Sequence, residues 1–142
     1  HRLKPAFERG VFELTWSLDR KQSLVEIGDI AEVAALVLGD LERHVGATYE
    51  LASPGHYTAY ELADIIASVV GKPITAGEID VDTFAARMFG NIDPREREYR
   101  LRAMHAISAR YSSNDFVGNP NVLTWLLGRI PTTWEQFVRA HH

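Results

Sequence analysis

Between Val11 and Ile79 the apolar residues switch repeatedly between a period of two and a period of about 3.6, and that alternation constrains the fold more than any other feature. Phe12, Leu14, Trp16 and Leu18 alternate with Glu13, Thr15 and Ser17, the pattern of a strand with one buried face. A polar turn leads to Leu24, Val25 and Ile27, so the two runs are expected to pair as a hairpin. Asp29 followed by Glu32 has the spacing of a capping box. Behind it Ile30, Val33, Ala34, Val37, Leu38 and Leu41 fall on one helical face. Residues 48–51 (TYEL) are expected to be a short strand, followed by a turn at Ser53, Pro54 and Gly55.

A second capping box, Thr58 with Glu61, opens a helix carrying Leu62, Ile65, Ile66, Val69 and Val70, and Gly71 with Pro73 stops it. Residues 74–79 read as another strand. After Asp82 the signals are helical: residues 83–89, 95–111 and 121–127, then a third capping box from Thr132 to Glu135 with Trp134, Phe137 and Val138 facing inward. The expectation is an α/β fold in one domain over residues 1–142, with strand and helix units over 1–81 and a mainly helical part over 82–142.

Composition narrows the class. A chain of 142 residues can bury a core without staples, and 46% hydrophobic with 24% charged residues is ordinary for a globular protein. A formal charge of -4 argues against general nucleic-acid binding, which needs a basic surface. The absence of cysteine excludes disulfides and thiolate chemistry. No run approaches the roughly 20 apolar residues of a membrane span, so the chain reads as soluble, with the cytoplasm as its place. It opens on His1, Arg2, Leu3 and Lys4 without a Met, which reads as an internal connection and hence as a fragment. His141 and His142 suit a tag remnant as well as a native end, so neither enters a metal argument.

Three blocks carry a family resemblance. Residues 25–35 (VEIGDIAEVAA) are similar to the V-x-x-x-D-I-A-x-x-A junction of NmrA-like atypical short-chain dehydrogenases/reductases. Residues 48–51, Ser53 with Pro54, and 58–63 (TAYELA) are similar to that family's Y-x-L-x-G-P and T-x-x-E-[IL]-A signatures. Residues 128–138 (GRIPTTWEQFV) resemble its closing G-R-x-P block. The resemblance implies the C-terminal portion of a Rossmann-type protein: a few strands plus a helical, substrate-side cap. It implies NAD(P) and a small apolar substrate in the parent protein, either an oxidoreductase or a non-catalytic NAD(P)-sensing regulator that binds a protein partner.

The cofactor half is not in this sequence. No G-x-x-G-x-x-G exists to bring backbone amides against a pyrophosphate, and none of the five tyrosines has a Lys four residues later. The expectation is that this chain alone binds no dinucleotide and carries no catalytic residue. Uncovered strand edges and helix faces then predict a homodimer or strand-exchanged oligomer.

Within the family frame, Phe84, Met88, Tyr99, Met104, His105 and Tyr111 are the substrate-side candidates, with core packing as the competing reading. Asp29, Thr58 and Thr132 are structural caps, each worth about 1 kcal/mol; contact of Gly28 or Asp29 with a ligand at a strand end is the alternative for the first. Glu78, Asp80 and Asp82 alternate and suit a solvated edge better than a cation site. His44, His56 and His105 lack metal-type spacing. Arg95, Arg97, Arg100, Arg102 and Arg110 read as a solvated helix face with intrahelical ion pairs, against phosphate recognition.

Overall fold

A computed structural model describes residues 3–142; of the opening segment, His1 and Arg2 lie outside the described residues. Helix α1 (Lys4–Arg9) ends at Gly10, whose φ of 72° supplies the left-handed turn into strand β1 (Val11–Leu14). Helix α2 (Ile27–Gly39) and the short α3 (Leu41–His44) follow, then α4 (Ala59–Val70). Strand β2 (Thr75–Glu78) leads into α5 (Val81–Phe89), α6 (Pro94–Ser113), α7 (Asn121–Leu127) and α8 (Trp134–His141).

The sheet has two parallel strands, with Val11 opposite Thr75 and Leu14 opposite Glu78. Parallel pairing needs a long crossover, and α2 to α4 supply it. The expected hairpin does not form. Leu24 is extended, but its carbonyl accepts from Ser53 N at 2.7 Å, and Ile27 already begins α2. Only Gln22 makes ladder-like contacts in this region, antiparallel to Tyr57 and parallel to Phe116.

Residues 48–51 also differ from expectation. Tyr49 and Leu51 face the α2–α7 cluster and Thr48 and Glu50 face outward, as strand alternation requires. No described backbone pairs alongside them, so the segment is extended without being part of a sheet.

Two apolar clusters hold the fold. One gathers Leu3, Ala63, Ile66, Ile74 and Val138 where α4, α8 and β2 meet, with Phe12 and Trp134 packed against it. The other gathers Val33, Leu123 and Leu126 between α2 and α7. Helix α4 is capped as its sequence indicates: Thr58 and Glu61 exchange both capping-box hydrogen bonds, and Gly71 closes the far end with φ 70°. The expected single face of α2 is split: Val33 is buried, whereas Leu38 is 70% exposed.

Candidate functional site

Helices α5 and α6 form the hairpin that carries most of the expected substrate-side residues. Asp80 caps α5 by accepting from Thr83 N at 2.8 Å, and Asp93 caps α6 by accepting from Arg95 N at 2.9 Å. The hydroxyl and amide of Thr83 hold the Asp80 carboxyl below its ordinary range. Across the hairpin, His105 Nε2 meets Asp82 Oδ2 at 3.3 Å, and the Arg100 guanidinium lies 5.9 Å from the Phe89 ring centroid. Helices with residue 82 opposite 105 and 89 opposite 100 run antiparallel. Phe84 and Met88 on α5 therefore share the hairpin with Tyr99, Met104 and His105 on α6. Met88 and Tyr99 are exposed, and Phe84 and Met104 are half-buried.

Tyr111 belongs elsewhere. It lies between Trp16 and Phe116, each ring centroid 5.1 Å away in edge contact. Ser108 Oγ donates to the Thr15 carbonyl, and Ser112 Oγ accepts from Ser17 N at 3.1 Å, so this end of α6 is bolted to the chain just after β1. Trp16 Nε1 is buried without a hydrogen-bond partner.

The acidic and basic runs resolve into ordinary roles. Asp80 is a cap and Asp82 faces His105, and among the described residues no group of three His, Asp or Glu side chains could hold a metal ion. Arg100 pairs with Glu96 at 2.5 Å within α6, and Arg97 donates to the Gly90 carbonyl at 2.6 Å. His44 bonds the Tyr49 hydroxyl at 2.7 Å and His56 Nε2 donates to the Gly118 carbonyl at 3.1 Å.

Asp29 has a different job from the one its spacing suggests. Glu26 is the N-cap of α2, accepting from Asp29 N at 3.1 Å, because the helix starts earlier than the sequence pattern implies. That places Asp29 inside the first turn, 2% exposed. Its carboxylate accepts from Arg129 at 2.8 Å, from Thr132 N at 2.7 Å and from Thr132 Oγ1 at 3.2 Å. Burial alone would raise the Asp29 pKa; the hydrogen bonds from Arg129 and Thr132 outweigh it and the net shift is downward. Arg129 also pairs with Glu32. Thr132 is consequently not the cap of α8: Thr133 is, in a capping box with Gln136 instead of Glu135. The first and last sequence blocks are thus one structural unit, tied through a buried carboxylate.

Strand β2 runs into α5 through Asp80, whose carboxylate already occupies the helix N-terminus and would repel a phosphate. The long connection from β1 to α2 holds no glycine before Gly28, where a Cβ would sit 2.5 Å from the Glu26 carboxylate.

Comparison places this architecture. No family model matches the chain, and no curated protein matches it by sequence. Solved structures do: the fold is that of the C-terminal portion of Rossmann-type reductases. Among them is triphenylmethane reductase of Citrobacter sp., complexed with NADP(H), with TM-score 0.75 and 24% identity over 99% of this chain and 47% of that one. An NADPH-dependent quinone oxidoreductase of Escherichia coli aligns with TM-score 0.69 and 24% identity over 99% and 50%. A nucleoside-diphosphate-sugar epimerase of Staphylococcus aureus gives 0.71 and 21% over 96% and 47%. The chain spans about half the length of these neighbours.

Proposed function

We propose that this chain forms the substrate-side wall of an NAD(P)-dependent reductase of the NmrA-like type, with NAD(P) held by a part of the protein outside these residues. One observation carries the reading: nearly all of this chain aligns with about half of NADP(H)-dependent reductases, and it contains no glycine fingerprint. The α5–α6 hairpin then presents Met88, Tyr99 and half-buried Phe84 to a small apolar acceptor such as a quinone, in line with the quinone oxidoreductase among the neighbours. His105, 3.3 Å from Asp82, places an imidazole beside that apolar surface.

The test is a titration of the chain followed by NMR. 1,4-Naphthoquinone should shift the Met88 methyl and the Tyr99 and His105 rings, and NADPH should shift nothing. Micromolar binding of NADPH, or quinone shifts that avoid α5 and α6, would overturn the proposal.

The chain also meets a second copy of itself through the α2 side. Ile27, Ile30, Leu38 and Leu41 project from one side of α2 and the start of α3, all exposed, and contiguous apolar surface of this kind marks an interface.

A further inference from the structure

Residues 48–51 form an extended segment whose backbone bonds no other part of the chain. Among the described residues, none of the amides or carbonyls of Thr48, Tyr49, Glu50 and Leu51 has a hydrogen-bond partner. The segment is nonetheless held in place. Ala47 N donates to the His44 carbonyl at 3.1 Å on one flank, and Ser53 N donates to the Leu24 carbonyl at 2.7 Å on the other. Tyr49 and Leu51 pack on the α2–α7 cluster, and the Glu50 carboxylate accepts from Asn119 N at 3.3 Å.

One edge of this segment is open. In an extended chain the N–H and C=O of one residue point to one edge and those of the next residue to the other. Ser53 N faces Leu24, so the backbone groups of Tyr49 and Leu51 point to that side, and those of Thr48 and Glu50 point away from it. Thr48 and Glu50 are exposed, and no described strand lies along them. An edge that offers donors and acceptors in this way is a template for another strand.

The apolar surface of the α2 side continues into this edge. Val33 and Val37 of α2 belong to the cluster on which Tyr49 packs, and exposed Trp125 meets the Tyr49 ring in edge contact at 6.3 Å. We infer that the edge at Thr48 and Glu50 is a strand-addition site for the same edge of a second copy, paired antiparallel about a two-fold axis at Tyr49. Each Thr48 amide donates to the partner's Glu50 carbonyl, and each Glu50 amide to the partner's Thr48 carbonyl. The two Tyr49 side chains then meet as the close, non-hydrogen-bonded pair. Centring the axis on Glu50 would instead set two carboxylates opposite each other, which is destabilising. The axis stands across the strands, so both α2–α7 layers lie on one face of the joined pair. The inference rests on the second-copy reading above and names the backbone that makes the contact.

The experiment is amide hydrogen exchange on the whole chain, read by NMR below and above the concentration at which light scattering shows the mass double. The Thr48 and Glu50 amides should slow on association, while those of Tyr49 and Leu51 stay fast. Thr48→Pro removes an amide with no partner inside the chain, so its circular dichroism should match the parent. It should weaken association about thirtyfold, the worth of the two hydrogen bonds lost across the axis. Thr48→Ala keeps the amide and should associate as the parent does. A chain that stays at 16.0 kDa overturns the second-copy reading and this one with it. A dimer whose Thr48 and Glu50 amides exchange as fast as in the monomer, or a folded Thr48→Pro chain that associates as tightly as the parent, overturns this one alone. If Thr48→Pro does not fold, the exchange pattern of the parent decides.

Discussion

The two apolar clusters were built to different ends. Around α4 and α8, Ile66 and Val138 are fully buried, the helices carry complete capping boxes, and β2 and Trp134 close the remaining sides. Between α2 and α7, Leu123 is just as buried, yet Ile27 is 79% and Trp125 65% exposed within the same pair of helices. The first cluster is sealed within the chain; the second is sealed on one side only. Helix amphipathicity reports how many apolar residues a face has, and only packing decides which are covered.

The largest effect should come from breaking the sealed side. Ile66→Ala leaves a cavity in a site with no solvent contact and should cost about 3–4 kcal/mol by urea denaturation. A loss under about 1 kcal/mol would mean that this side relaxes as freely as the other.

Next comes the Asp29 tether, which joins α2 to the segment leading into the sealed side. Asp29→Asn should cost about 2 kcal/mol, the range for hydrogen bonds to a charged group. Because the folded pKa is depressed, the stabilisation is complete above the unfolded value of about 3.9 and is lost as pH falls through the folded value. Acid denaturation should therefore flatten in Asp29→Asn; an unchanged acid limb would remove the tether from the account.

The smallest effect separates two neighbouring threonines. Thr133→Ala should cost about 1 kcal/mol through loss of the α8 cap. Thr132→Ala keeps its backbone bond to Asp29 and loses the 3.2 Å hydroxyl bond to the same carboxylate, so its cost should shrink in an Asp29→Asn background while that of Thr133→Ala persists. Thermal melts of the single and double variants would show this, and a Thr132→Ala cost that is unchanged beside Asp29→Asn would detach Thr132 from the tether.

The sealed side was the legible one. Thr58 with Glu61, and Gly71 with Pro73, are local signals, and their partners sit within a few residues. The sheet was not legible: β1 and β2 are about sixty residues apart, and nothing in Phe12 or Ala76 names the other. The hairpin reading failed because period two tells that a strand has two faces without telling what lies beside it. Asp29 was singled out correctly and assigned wrongly, since its partners Arg129 and Thr132 are a hundred residues away and leave no spacing signal. Of the candidate site, five residues share one hairpin because they lie on consecutive helices. Tyr111 does not join them: a 20-residue helix is about 30 Å long, so its far end reaches other neighbours.

We propose that the α2 side is covered by a second copy of the chain and that the α4–α8 side is not. Multi-angle light scattering across a concentration series tests it, with Leu38→Glu as the control, since an exposed substitution should change folding stability by less than about 0.5 kcal/mol. The account predicts a mass rising toward twice the 16.0 kDa of one chain, and a variant that stays at 16.0 kDa. A parent chain that remains at 16.0 kDa at every concentration would contradict it.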